Sequence, residues 1–191
     1  MTRMSRGTLV IISGPSGAGK GTLVRALLGR VPSVWVSVSA TTRAPRPREQ
    51  EGRHYFFLTS AEFERRVESG DFLEHAEVHG NRYGTLRSTV ETKLAQGRTV
   101  ILEIDPQGAA QVRAMMPEAA LVFIVAPSTD ELVRRIRQRG GESDEDIAVR
   151  MATAQRELAL VGTYDCVVQN DDLRRATDEL VHFIESLQTG D

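Results

Sequence analysis

At 191 residues, with 40% hydrophobic and 26% charged side chains and a net charge of −2, the chain has the make-up of one well-buried globular domain with room for small inserts. The slightly acidic balance argues against a general nucleic-acid surface, and no apolar run approaches the roughly 20 residues of a membrane span. A lone Cys166 excludes an internal disulfide and a cysteine metal cage, and the N-terminal residues lack an apolar secretion segment, so a cytoplasmic location is expected.

Residues 8–13 form a short apolar run that predicts a strand. Directly after it, residues 14–22 read Gly-Pro-Ser-Gly-Ala-Gly-Lys-Gly-Thr, the spacing of a phosphate-gripping loop. The stretch Gly14, Pro15, Ser16, Gly17, Ala18, Gly19 can curl so that backbone N–H groups meet phosphate oxygens. A helix over 19–29, with Leu23, Leu27 and Leu28 on one side, then aims its positive end at the same anion. Lys20 supplies a mobile cation for the terminal phosphates. Gly21 stands where many such loops carry a Ser or Thr for magnesium, which leaves Thr22 as the nearest hydroxyl.

Residues 34–39 read as a second strand, and residues 40–85 then break the strand–helix rhythm. Arginines cluster at 43–53 among Pro45 and Pro47. The prolines stiffen the backbone, and the planar guanidinium groups of Arg43 and Arg46, three residues apart, suit a dianionic phosphate. Short apolar pieces at 55–58 and 72–78, split by a small helix at 61–69, predict a compact α+β insert. Further on, the apolar runs at 99–104 and 121–125 lack alternation, as strands covered on both faces do. Residues 167–169 are a further strand candidate. Helices are predicted near 107–115, 128–139, 143–161 and 171–187, with Ser128 and Glu131 placed for a capping box on the second of these. The alternation implies an α/β fold with a five-stranded parallel sheet between helices, and ligands at the carboxyl ends of its strands.

Glu103 and Asp105 close the run at 99–104, where carboxylates can hold magnesium or its waters; Asp105 alternatively caps the helix that follows. A second arginine cluster at 134–139 runs into Gly140-Gly141, and Arg150 lies beyond, a pattern that predicts a lid over about 139–150 folding positive charge over a phosphate. No Ser-His-Asp set or metal-spaced His pair suggests hydrolysis.

With these residues in hand, the chain resembles the guanylate kinases, nucleoside-monophosphate kinases of P-loop type, along almost its whole length. The resemblance rests on residues 14–22, 39–46, 52–55, 72–74, 81–85, 103–105, 135–140 and 170–171, in this order and spacing. It implies a three-layer P-loop kinase fold in a single domain, with core 1–39 and 86–191, a GMP-binding insert about 40–85 and a mobile lid. It further implies that Arg43, Arg46, Tyr55 and Tyr83 hold the GMP phosphate and that Ser39, Glu74 and Thr85 read the guanine. Glu103 and Asp105 border the same nucleotide and, with Thr22, the magnesium that accompanies ATP. On the ATP side it places residues 14–22, the lid arginines Arg135, Arg139 and Arg150, and Asn170 near the adenine. Lys20, Arg43, Arg135, Arg139 and Arg150 would carry the transfer.

The implied reaction is ATP + GMP or dGMP giving ADP + GDP or dGDP, with magnesium on the ATP, no nucleic acid or membrane involved, and a monomer or homodimer. The alternatives are a guanylate-kinase-like phosphopeptide-binding module without catalysis and, within the class, a kinase for AMP or UMP. His54, Glu103 and Gly141 depart from the residues usual in the family at those places.

Overall fold

The computed structural model describes residues 6–78, 80–138 and 143–189. Strand β1 (Leu9–Ser13) is buried at all five positions because it runs through the middle of the main sheet. Its neighbours are β2 (Val34–Val36), β7 (Thr99–Glu103), β8 (Ala120–Val125) and β9 (Cys166–Gln169), all parallel in the order β2-β7-β1-β8-β9. Successive side chains of a strand face opposite ways. Val10 and Ile12 therefore pack on one side with Leu23 and Leu27 of α1 (Lys20–Arg30) and Leu180 and Ile184 of α7 (Leu173–Thr189). Leu9 and Ile11 pack on the other with Val90, Leu94 and Val112. Those residues belong to α3 (Arg87–Ala95) and α4 (Pro106–Met115). The three layers follow from this: a parallel pair needs a crossover helix, and crossovers cover both faces.

The insert forms a second sheet of β3 (Ala40–Thr41), β4 (Phe56–Phe57), β5 (Phe72–Val78) and β6 (Asn81–Leu86) in the order β4-β3-β6-β5. It has a core of its own, in which Phe63 of α2 (Ser60–Glu68) stacks on Phe72 at 4.5 Å beside Ala40 and Leu86. The Thr59 hydroxyl caps α2 by accepting from Glu62 N–H at 3.1 Å.

Several elements differ from the sequence reading, among them β3 and β6 of the insert, which it does not anticipate as strands. The second strand stops at Val36 rather than 39, although Ser37 N–H still reaches Ile101 O at 2.9 Å. Helix α3 carries no sequence signal: Leu86 at its start offers no capping side chain, and only Val90 and Leu94 are buried. Beyond it, α5 (Thr129–Gln138) and α6 (Asp144–Leu158) pack on each other through Leu132, Ile136, Ile147 and Ala154. Half of the expected capping box at 128–131 is present. Ser128 Oγ accepts from Glu131 N–H at 3.1 Å, while the Glu131 carboxylate binds Arg134 and Arg135. A full box stands instead at the start of α6, between Ser143 and Asp146.

Candidate active site

The glycine-rich loop leaves the carboxyl end of β1 and enters α1 through Gly19, whose φ of 90° favours glycine. Lys20, the first residue of α1, donates its ammonium to the Gly14 carbonyl and, at 3.3 Å, to that of Pro15. Loop and ammonium form one wall of a cleft of about 660 Å³. The cleft also takes in Ser39, Tyr55, Glu74, Tyr83, Glu103, Asp105 and, from α6, Arg150 and Glu157. The tertiary structure thus brings part of each expected set to one cavity: the loop, Lys20 and Arg150 from the triphosphate side, and Ser39, Tyr55, Glu74, Tyr83, Glu103 and Asp105 from the monophosphate side, whereas Arg43, Arg46 and Thr85 do not line it.

On the insert side, Glu74 of β5 is only 5% exposed. The Thr85 hydroxyl donates to its Oε1 at 2.6 Å. Burial pushes the Glu74 carboxyl up to about 7, the Thr85 bond opposes this, and the charge of Asp105 adds to the rise. The other oxygen lies against the start of α4: a Cβ at Gly108 would come within 2.9 Å of Glu74 Oε2, so this helix must offer bare backbone there. Asp105 makes that helix start, its Oδ1 accepting from Gly108 N–H at 2.7 Å. The capping role and the place beside the cleft therefore belong to one residue.

Arg43 lies 5.4 Å from the Tyr55 ring, and Tyr55 meets Tyr83 edge-on at 6.0 Å. Its guanidinium Nη2 donates to both oxygens of Glu49 at 2.9 Å, in a pair whose side chains are 15% and 17% exposed. Glu49 also accepts from Arg46 N–H at 2.7 Å, and these bonds, Arg43 first, hold its carboxyl below the usual range. Glu49 is a residue that sequence reasoning missed; a carboxylate three places after Arg46 in an arginine-rich loop was the available signal. The Arg46 side chain is exposed and does not line the cleft.

Glu103 ends β7 beside the loop, and its carboxylate would stand 3.3 Å from a Cβ at Gly21. A Ser or Thr side chain there would press on the carboxylate, which would have to give by a few tenths of an ångström. Thr22 is not brought to the cleft; it borders an adjoining groove with Gly17, Gly19, Arg135, Asn170 and Asp171. Among the described residues no group of three or more His, Cys, Asp or Glu side chains could hold a metal by itself. A divalent ion would fit here only as a partner of a bound triphosphate, with Glu103 and Asp105 reaching its waters.

In the adjoining groove, Asn170 is 7% exposed and donates from Nδ2 to Ala18 O at 2.8 Å. Arg135 donates to the same carbonyl at 3.3 Å and to Asn170 O at 2.8 Å, while its Nε pairs with Glu131 at 2.7 Å. Arg134 and Arg135 hold the Glu131 carboxyl down at about 2. Arg150 donates to Ser16 Oγ at 3.2 Å. Arg139, Gly140 and Gly141, expected in the lid, lie outside the described residues.

A parallel sheet with a glycine loop at its carboxyl edge, a lysine opening the next helix and arginines descending from α5 and α6 define the chain as a P-loop kinase by fold. Structural similarity at the level of fold alone extends to the shikimate kinase of Bacteroides thetaiotaomicron, with a TM-score of 0.50 at 19% identity over 95% of this chain and 98% of that one. Likeness to the guanylate kinase of Anaplasma phagocytophilum is far greater, with a TM-score of 0.77 and 32% identity over 96% of this chain and 87% of that one. The family model described as guanylate kinase matches residues 6–187. The guanylate kinase of Rubrobacter xylanophilus is 50% identical over 98% of each chain. That of Parasynechococcus marenigrum is 54% identical over 89% of this chain and 93% of its own. The chain belongs to the guanylate kinase family.

Proposed function

We propose that this enzyme transfers the γ-phosphoryl group of ATP to GMP, and to dGMP, with magnesium accompanying the ATP. The observation that carries the reading is the single cleft in which a buried carboxylate, Glu74, faces the same space as Lys20 and the phosphate loop. Guanine offers N1–H and N2–H donors on one edge, which the two oxygens of an ionised Glu74 can accept together. Adenine lacks both donors and would leave the carboxylate unpaired, at a cost of about 1–3 kcal/mol or more.

The Arg43–Tyr55–Tyr83 group supplies the monophosphate end, with Arg46 closing from outside the cleft. The insert about 40–85 is the GMP-binding unit. The lid about 139–150 delivers Arg139 and Arg150, and Arg135 turns from its loop carbonyl to the triphosphate. Asn170 contributes to the adenine end of the ATP site. Glu103 and Asp105, with Thr22 at the outer side of the loop, would hold the magnesium that accompanies ATP, partly through its waters, and the ion would supply neutralisation of phosphate charge. The chain's own work is positioning and charge neutralisation: it aligns the two phosphates, excludes water and meets the negative charge with Lys20 and the arginines.

A kinase for another base is disfavoured by Glu74 with Thr85. A phosphopeptide module without catalysis is disfavoured by the retained Lys20 and Arg150 and by relatives named as kinases. The test is a coupled ADP-release assay across GMP, dGMP, AMP, CMP and UMP. GMP is expected to exceed AMP by about 10²-fold or more in kcat/KM; faster turnover of AMP would reject the substrate assignment.

A further inference from the structure

Glu157 plays no part in the reading above, yet it stands in the same cleft as Lys20, Glu103 and Asp105. It comes from α6, the helix that also delivers Arg150. At about 100° per residue, Val149, Thr153, Glu157 and Arg150 fall within an arc of about 100°, so one narrow face of α6 looks into the cleft. Arg150 binds Ser16 at the front of the loop. Glu157, seven residues on and therefore about 10 Å further along the axis, borders the cleft at a second point.

The Glu157 carboxylate is half-buried and makes no hydrogen bond to a described residue. Burial pushes its carboxyl up, the Lys20 charge pulls it down, and Asp105 pushes it up again. A half-buried carboxylate without a hydrogen bond is unfavourable unless a cation answers it. Among the described residues two cations answer it: Lys20, whose ammonium is turned back onto the carbonyls of Gly14 and Pro15, and, more weakly, the exposed Arg156, which bonds along its own helix to Ala152 O and Thr153 Oγ1. Asp105 is committed to capping α4. Glu103 sits against Gly21, where a magnesium ion would draw on it.

We propose that Glu157 is a positioning residue for Lys20: its carboxylate draws the ammonium off the loop carbonyls and holds it in mid-cleft, where the transferred phosphoryl group passes. Arg150 and Glu157 then make α6 a two-point clamp, a cation toward the front of the phosphate loop and an anion behind the catalytic lysine. The proposal rests on the assignment of Lys20 to phosphoryl transfer, but its structural half concerns the Lys20–Glu157 pair alone and is read without turnover.

The chain has only two lysines, Lys20 and Lys93, so labelled-lysine NMR gives two ammonium signals, and a Lys93→Arg variant assigns them. The Lys20 signal would be titrated in the parent and in Glu157→Gln, with and without magnesium and a non-hydrolysable ATP analogue. Lys20 is expected to titrate at lower pH once the carboxylate is neutralised, and in turnover Glu157→Gln is expected to lower kcat about tenfold with both KM values within about threefold. Coincident Lys20 titration curves in both states would overturn the proposal, whatever the effect on rate. So would an unchanged kcat. A shifted Lys20 titration in a variant that phosphorylates no nucleotide better than GMP leaves the substrate assignment intact, whereas loss of GMP preference in the parent would strike the assignment and spare the pair.

Discussion

The phosphate loop and the nucleotide insert line the same cleft but are built in opposite ways. The loop offers main chain: its glycines, the Gly14 and Pro15 carbonyls that anchor Lys20, and the start of α1 all hang from β1, the most buried strand of the main sheet. The insert presents side chains instead. Glu74, Thr85 and Tyr83 come from a small sheet, and Tyr55 and Arg43 from the segments beside it; its core amounts to Phe63, Phe72, Ala40 and Leu86 with a few half-buried neighbours. A backbone grip suits the phosphates shared by every nucleoside triphosphate. Selecting one base needs a desolvated carboxylate, and a desolvated carboxylate needs tertiary walls.

If the two halves are separable, each can be damaged alone. Lys20→Ala is expected to lower kcat by about 10³-fold or more while the GMP dissociation constant, measured by calorimetry, stays within about twofold. Near-normal turnover would remove the loop from the mechanism. Glu74→Gln should lower kcat/KM for GMP by about 10²-fold and leave KM for ATP in place, because one acceptor becomes a donor opposite guanine N–H groups. An unchanged ranking of GMP over AMP in that variant would break the contrast.

A subtler lesion is Gly108→Ala. The added methyl would press on Glu74 Oε2 at 2.9 Å from the far side of the cleft wall, and KM for GMP is expected to rise about tenfold with ATP kinetics untouched. Equal effects on both substrates would mean that the two halves are mechanically joined through α4.

The smallest and sharpest test is pH. Glu74 titrates near 7 in the empty protein, against an ordinary value of 4.5, because burial disfavours its charge. Guanine needs the ionised form, so GMP binding must expel a proton below neutral pH, and GMP affinity should weaken up to about tenfold per pH unit under 7. For folding the sign is the reverse. This raised carboxyl contributes stability that is whole below pH 4.5 and is lost as pH rises through about 7. In Glu74→Gln both slopes are expected to vanish, which calorimetry in buffers of different ionisation enthalpy and thermal melts at stepped pH would detect.

Much of the architecture was legible in the chain itself. Fully apolar runs at 9–12 and 121–125 announce strands covered on both faces, and the loop between β1 and α1 is a local motif whose spacing carries its chemistry. Helix α3 was not legible, because it has neither a cap nor a regular apolar face and forms only where Val90 and Leu94 find the sheet. Among the site residues, Glu49 and Glu157 escaped for a related reason. Glu49 is defined by the guanidinium it clamps, and Glu157 by the helix face that points it at a lysine far away in sequence.

The sequence by itself determined the parallel α/β layering, the phosphate loop and the kind of residues available to hold two phosphates, because periodicity and glycine spacing act over a few neighbouring residues. Only the tertiary structure decided that Glu74 is desolvated, that Gly108 yields room to it, that Glu103 occupies the space beside Gly21 and that Thr22 faces the adjoining groove. Those facts depend on which distant segments meet, and burial, the quantity that sets a carboxyl's charge, exists only once they have met.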